Sequence, residues 1–121
     1  MTRQQHWATY ALQRVKEHRQ GHNGVTARQE KQYARDCMRT PSLIKQSGAL
    51  QAIAFLRRKD DERAFADNLA SVYRNGMNSE TLLRDLARAP LPEYLVLTRD
   101  LIDVAVWFRR FAQSELHEEE E

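Results

Sequence analysis

Apolar residues recur at three- and four-residue steps along almost the whole chain, and nowhere do they alternate over the length of a strand. That pattern predicts an all-α protein. Trp7, Ala8, Ala11, Leu12 and Val15 share one face of a first helix over residues 3–19, leaving Arg3, Arg14, Lys16 and Arg19 mostly outside, and Gly21 and Gly24 break the pattern. A second helix runs from Thr26, read as its N-cap, to Arg39 on a thin stripe of Ala27, Glu30, Tyr33, Ala34, Cys37 and Met38. So polar a helix packs along one side only.

The stretch from Thr40 to Lys59 holds the most apolar helix and reads as the hub of the fold. Thr40 and Pro41 predict a fresh helix start and Gly48 its end. From Ala49 to Leu56 only Gln51 is polar, the pattern of a helix surrounded by others. It leaves the core on Arg57, Arg58 and Lys59, where cations suit the negative end of a helix. Asp60 and Asp61 then stand at the start of a third long helix, buried through Phe65, Leu69, Val72 and Tyr73 and stopped by Asn75-Gly76.

Ser79 and Glu80 open a short helix carrying Leu82, Leu83, Leu86 and Ala87, and Pro90 and Pro92 bracket the next connection. The longest helix extends from about Pro92 to Leu116 on Tyr94, Leu97, Leu101, Val104, Ala105, Phe108 and Ala112, widened by Leu95, Ile102 and Phe111. Trp107 falls at the core edge beside that stripe. A helix so long crosses the domain and packs on the hub. The expected architecture is a compact single-domain bundle of about six helices, two of them short, over residues 1–116, with 117–121 as a frayed acidic tail.

Length adds that 121 residues make one domain able to bury a core without staples. Cys37 is alone, which excludes an internal disulfide, and no apolar run has signal-peptide or membrane-span length. A soluble cytoplasmic protein is the expectation. The net charge of +2 hides an uneven distribution: residues 1–60 hold 12 Lys or Arg against 4 Asp or Glu, and residues 61–121 hold 7 against 13. A basic amino-terminal half favours a polyanionic partner.

No constellation for catalysis emerges. His18 and His22 have metal-ligand spacing, but Gly21 falls between them where the helix ends, and no third ligand is apparent. Cys37 lies on an apolar stripe as a small core residue, and His6 and His117 lie near the termini. Asp60, Asp61 and Glu62 would share any cation with Arg57, Arg58 and Lys59. The isolated glycines form no phosphate loop, so no cofactor and no metal is expected. Arg28, Lys31, Arg35 and Arg39, by contrast, make one basic stripe along the second helix. Lys45 and Arg57 to Lys59 flank the hub, and Arg14 adds a cation from the first helix. Aromatic residues are not interleaved with these cations in the way a base-stacking platform requires, which argues for backbone contact without sequence reading.

The run Gly48-Ala-Leu-Gln51-Ala-Ile-Ala-Phe55-Leu56, preceded by Pro41-Ser-Leu-Ile44, resembles the signature of the small helical subunit of the type III-B CRISPR effector, the Cmr complex. The opening Gln5-His-Trp7-Ala8 with Ala11 and Val15 resembles one end of that family. Tyr94, Thr98, Trp107-Phe108, Phe111-Ala112 and Ser114-Glu115-Leu116 resemble the other. Ala49 departs from the longer aliphatic residue expected there. The resemblance implies a non-catalytic, all-helical subunit that stacks as an inner filament along guide RNA and target RNA, beside the other Cmr subunits. It supplies no contact motif, so charge alone nominates Arg14, Arg39, Lys45, Arg57, Arg58 and Lys59 as the RNA-backbone-binding set. Two alternatives remain: a helix-turn-helix DNA-binding regulator built on residues 42–59, and a helical protein–protein adaptor without nucleic-acid contact.

Overall fold

The structure, a computed structural model, describes residues 1–116; the acidic run read as a tail lies outside the described residues. Six α-helices follow one another: α1 Arg3–Lys16, α2 Ala27–Ser47, α3 Ala49–Leu56, α4 Ala64–Tyr73, α5 Ser79–Arg88 and α6 Leu91–Glu115. Single 3₁₀ turns at His22–Gly24 and Asp60–Glu62 join α1 to α2 and α3 to α4. No strand occurs among the described residues.

Local chemistry sets most of the boundaries. Thr2 and Thr26 each close a capping box with the glutamine three residues on, Gln5 and Gln29, so two orphan amides are satisfied at the starts of α1 and α2. α5 opens at Ser79 as expected, and Asn78 caps it by accepting from the Thr81 amide.

The fresh start expected at Thr40-Pro41 does not occur: α2 runs unbroken through Pro41 for 21 residues. An interior proline costs roughly 3 kcal/mol when nothing offsets it. Here the Thr40 hydroxyl donates to the Asp36 carbonyl at 2.5 Å, and Cys37, Thr40, Pro41 and Ile44 are all buried. Burial of that face offsets the lost backbone bond. Asp60 and Asp61, expected at the start of α4, lie instead in a 3₁₀ turn and do not cap it; Asp60 pairs with Arg63 at 3.1 Å.

The long helix α6 rests chiefly on α2 and α1, with only slight contact to α3, so α6 is the centre where the hub was expected. Its stripe of Leu101, Val104, Ala105, Phe108 and Ala112 is buried as the periodicity predicts. Aromatic rings tie the layers together edge to face: Tyr33 of α2 meets Phe65 of α4 at 5.6 Å, and Phe65 meets Phe108 of α6 at 5.2 Å. Trp107 sits at the core edge and donates its indole N–H to the Gln4 side chain at 2.8 Å. α3 buries Ala49, Ala52, Ile53 and Leu56, leaving Gln51, Ala54 and Phe55 outward.

Candidate nucleic-acid interface

The Gly48 corner folds α3 back so that Phe55 reaches a cation from α2. The guanidinium carbon of Arg39 lies 4.8 Å from the Phe55 ring centroid, and that of Arg58 lies 3.8 Å from it. Phe55 is 36% exposed, so the cluster stands at the surface. Such cation–ring contacts contribute about 0.5–1 kcal/mol each at exposed sites.

Beneath the cluster is a carboxylate. Asp36 is 3% exposed, accepts from Arg39 at 2.5 Å, and also accepts from the Gln32 amide at 3.3 Å. Burial pushes the Asp36 carboxyl above its ordinary value, against the pull of Arg39 and, more weakly, Arg58. Arg39 Nε is buried and has no hydrogen-bond partner among the described residues. The pair therefore holds Arg39 in place, and with the side chain 30% exposed the guanidinium still presents N–H groups at the surface.

The remaining nominated cations divide. Lys45 and Lys59 are exposed, at the last turn of α2 and just past α3. Arg58 donates to the Phe55 carbonyl at 2.9 Å and so closes the end of α3 as the capping argument anticipates. Arg57 turns elsewhere: its Nε donates to Ser79 Oγ at 2.8 Å, and the Ser79 hydroxyl donates to Asp67 at 2.5 Å. Arg14 belongs to a different groove, lined by α1 and the end of α4, and pairs with Glu17 at 3.5 Å.

Packing of the helices brings aromatic rings to these cations. Phe55 stands between Arg39 and Arg58 in space, and Tyr10 and Tyr73 line the groove of Arg14. The Phe55–Arg58 step of three residues was legible on a helix; the Arg39 contact needs the fold.

Other candidate groups serve the scaffold. His18 stacks on Tyr33 with ring centroids 3.8 Å apart, and its Nδ1 lies 3.0 Å from the Arg14 carbonyl. Cys37 is fully buried, and burial, helped by the Asp36 charge, pushes its thiol well above the ordinary value. Among the described residues no three His, Cys, Asp or Glu side chains gather where a metal ion could be held.

The helical order and the match of residues 3–115 to the model of the CRISPR-associated protein family (Cas_Cmr5) show that the chain belongs to that family, and so to the small subunits of the Cmr complex. It is similar to the CRISPR system Cmr subunit Cmr5 of Thermus thermophilus, with 36% identity over 125 residues that cover 97% of this chain and 98% of the relative. The X-ray crystal structure of a CRISPR-associated Cmr5 family protein from Thermus thermophilus superposes with a TM-score of 0.85 at 34% identity. That alignment covers 97% of this chain and 100% of the crystallised one.

Proposed function

We propose that the chain is a non-catalytic subunit of a cytoplasmic type III-B ribonucleoprotein, stacking with further copies of itself and touching the backbone of guide RNA and target RNA. The observation that carries the reading is the exposed Arg39–Phe55–Arg58 cluster, in which two guanidiniums are held on one ring at the surface of a Cmr-family subunit. Held guanidiniums suit phosphate oxygens, since less side-chain freedom is given up on binding. Lys45 and Lys59 extend the basic surface, Arg14 adds a separate contact, and Arg57, engaged with Ser79, contributes charge more than a free donor. Membership of the complex makes the other Cmr subunits partners.

A non-catalytic role agrees with where the chemistry-bearing groups lie: the Cys37 thiol and the Tyr33 phenol are buried and held protonated. A helix-turn-helix reading suits α3 poorly, because its outward residues Gln51, Ala54 and Phe55 offer little to base edges.

The test is reconstitution of the complex with Arg39, Arg58, Lys45 and Lys59 changed to Ala, followed by target-RNA binding over a range of salt. Affinity should fall, and the salt slope should drop by about one for each phosphate no longer neutralised. Unchanged affinity and slope would overturn the reading that these four cations touch RNA and would favour a helical adaptor.

A further inference from the structure

Three grooves of comparable size open on the surface, and they differ in charge. One at the start of α6 is lined by Arg74 and Arg88 together with Asp85 and Glu93, and one beside the start of α2 by Arg28 together with Asp36, Asp61 and Glu62. The third, about 450 Å³ between α1 and the end of α4, has no carboxylate in its wall. It carries the cations Arg3 and Arg14, the rings of His6, Trp7, Tyr10 and Tyr73, and the polar ends of Gln13, Ser71 and Asn75. Its volume lies within the roughly 300–1,000 Å³ of small-ligand sites.

The groups are arranged with some capacity left over. Arg3 sits over the Trp7 ring at 4.7 Å and donates to Asp100 at 3.2 Å, which fixes it at the groove's edge. Tyr10 stacks on His6 at 5.7 Å and is 46% exposed, so ring surface is still available. Arg14 pairs with Glu17 at 3.5 Å, yet its side chain is 37% exposed. The outer nitrogens of its guanidinium can therefore still donate to an acceptor in the groove.

We infer that this groove takes one nucleotide of single-stranded RNA, the base stacked on Tyr10 and the phosphate held by Arg14. The chemistry favours this over an acidic peptide: carboxylates would need the cations alone, whereas flat ring surface beside a guanidinium matches a base joined to a phosphate. The inference rests on the reading that the subunit touches RNA, and it adds a second, base-contacting point to the phosphate contacts at Arg39 and Arg58. It also gives Arg14 a role apart from the other nominated cations.

The isotope-labelled full chain is titrated with hexa-adenylate RNA and, separately, with hexaglutamate, and the amide resonances are followed. RNA should move the resonances of Tyr10, Arg14, Tyr73 and Asn75, as a set distinct from Arg39, Phe55 and Arg58. Tyr10→Ala and Arg14→Gln should each weaken the groove's response by about an order of magnitude, as removal of a stacking or charge-assisted contact does, without moving the second set. Tyr10→Phe should retain it, and the spectra themselves report that each variant is folded. A groove that stays silent at millimolar RNA, or answers hexaglutamate and not RNA, overturns the inference while a response at Arg39 and Arg58 keeps the phosphate reading. A responding groove beside a silent Arg39 set overturns the phosphate reading there and keeps the inference.

Discussion

The Tyr94 hydroxyl accepts the Leu50 amide hydrogen at 3.1 Å, so the first turn of α3 is capped by a side chain 44 residues away on α6. Gly48, the residue before α3, cannot cap it and sits at φ 86°, ψ 156°, a conformation open almost only to glycine. A Cβ at position 48 would stand 3.1 Å from that same hydroxyl. Tyr94→Phe should therefore cost about 1 kcal/mol, the usual worth of a helix cap. Gly48→Ala should cost about 1–3 kcal/mol from backbone strain, plus the crowding. In urea unfolding the double variant should lose less than the two single losses added together, because removing the hydroxyl relieves the crowding.

Asp36 makes stability depend on pH in an uncommon direction for an ion-paired carboxylate. Its folded value lies above the ordinary 3.8, chiefly because burial disfavours the charge and Arg39 only partly compensates. A group raised on folding stabilises the protein fully below its unfolded value, and that contribution is lost as pH rises through the folded value. The melting temperature of the wild type minus that of Asp36→Asn should then fall as pH climbs from below 3.8. A difference that instead grows with pH would show that the ion pair with Arg39 outweighs burial.

Side-chain spacing made the fold legible because each helix buries a periodic stripe; Trp7, Ala11 and Val15, or Leu101, Val104 and Phe108, needed no tertiary information. Thr40-Pro41 misled because local capping rules register the missing amide but not the burial that offsets it. The basic side of the chain was visible as charge. Whether a given cation serves the surface or the scaffold was not, since Arg57 and Arg58 are neighbours in sequence and turn to different partners, Ser79 and Phe55. The Arg39–Phe55 contact was hidden for the same reason, since the two meet only when α2 and α3 pack; Tyr10 and Arg14 are four residues apart on α1, but the groove they line needs α4.

Arg57 and Arg58 separate under mutation. Arg57, Ser79 and Asp67 link the end of α3 to α4 and α5, and Ser79 is 1% exposed. Arg57→Gln should lower the melting temperature by several degrees, as about 1–2 kcal/mol does in a domain of this size. Arg58→Gln, which gives up only a surface cap and ring contact, should lower it less and act chiefly on RNA affinity. Equal thermal losses in the two variants would refute the division.

Cys37 should be inert in the folded protein. Its thiol is fully buried, and burial with the nearby Asp36 charge keeps it protonated well above the ordinary range, so little of the reactive thiolate exists at neutral pH. A thiol-reactive dye should label the native chain only at the rate of transient unfolding and label it at once in denaturant. Rapid labelling without denaturant would show that α2 opens locally around Pro41.

Phe55 offers a test of the RNA surface at constant charge. Arg39 and Arg58 keep their charges in Phe55→Ala, so long-range attraction to a polyanion is unaltered; what disappears is the ring on which both guanidiniums rest, 4.8 and 3.8 Å from its centroid. If the ring serves to hold them, target-RNA affinity of the assembled complex should fall by roughly fivefold or more, since each freed guanidinium must be ordered again on binding at about 0.5–1.5 kcal/mol. Phe55→Tyr should restore it, since a tyrosine ring accepts cations equally well. Asp36→Asn should act in the opposite sense, raising affinity and steepening the salt dependence, because the carboxylate that partly neutralises Arg39 is gone. Weakened binding in Phe55→Ala with the tyrosine variant equally weak would show that the position matters for packing α3 and not for arranging its cations.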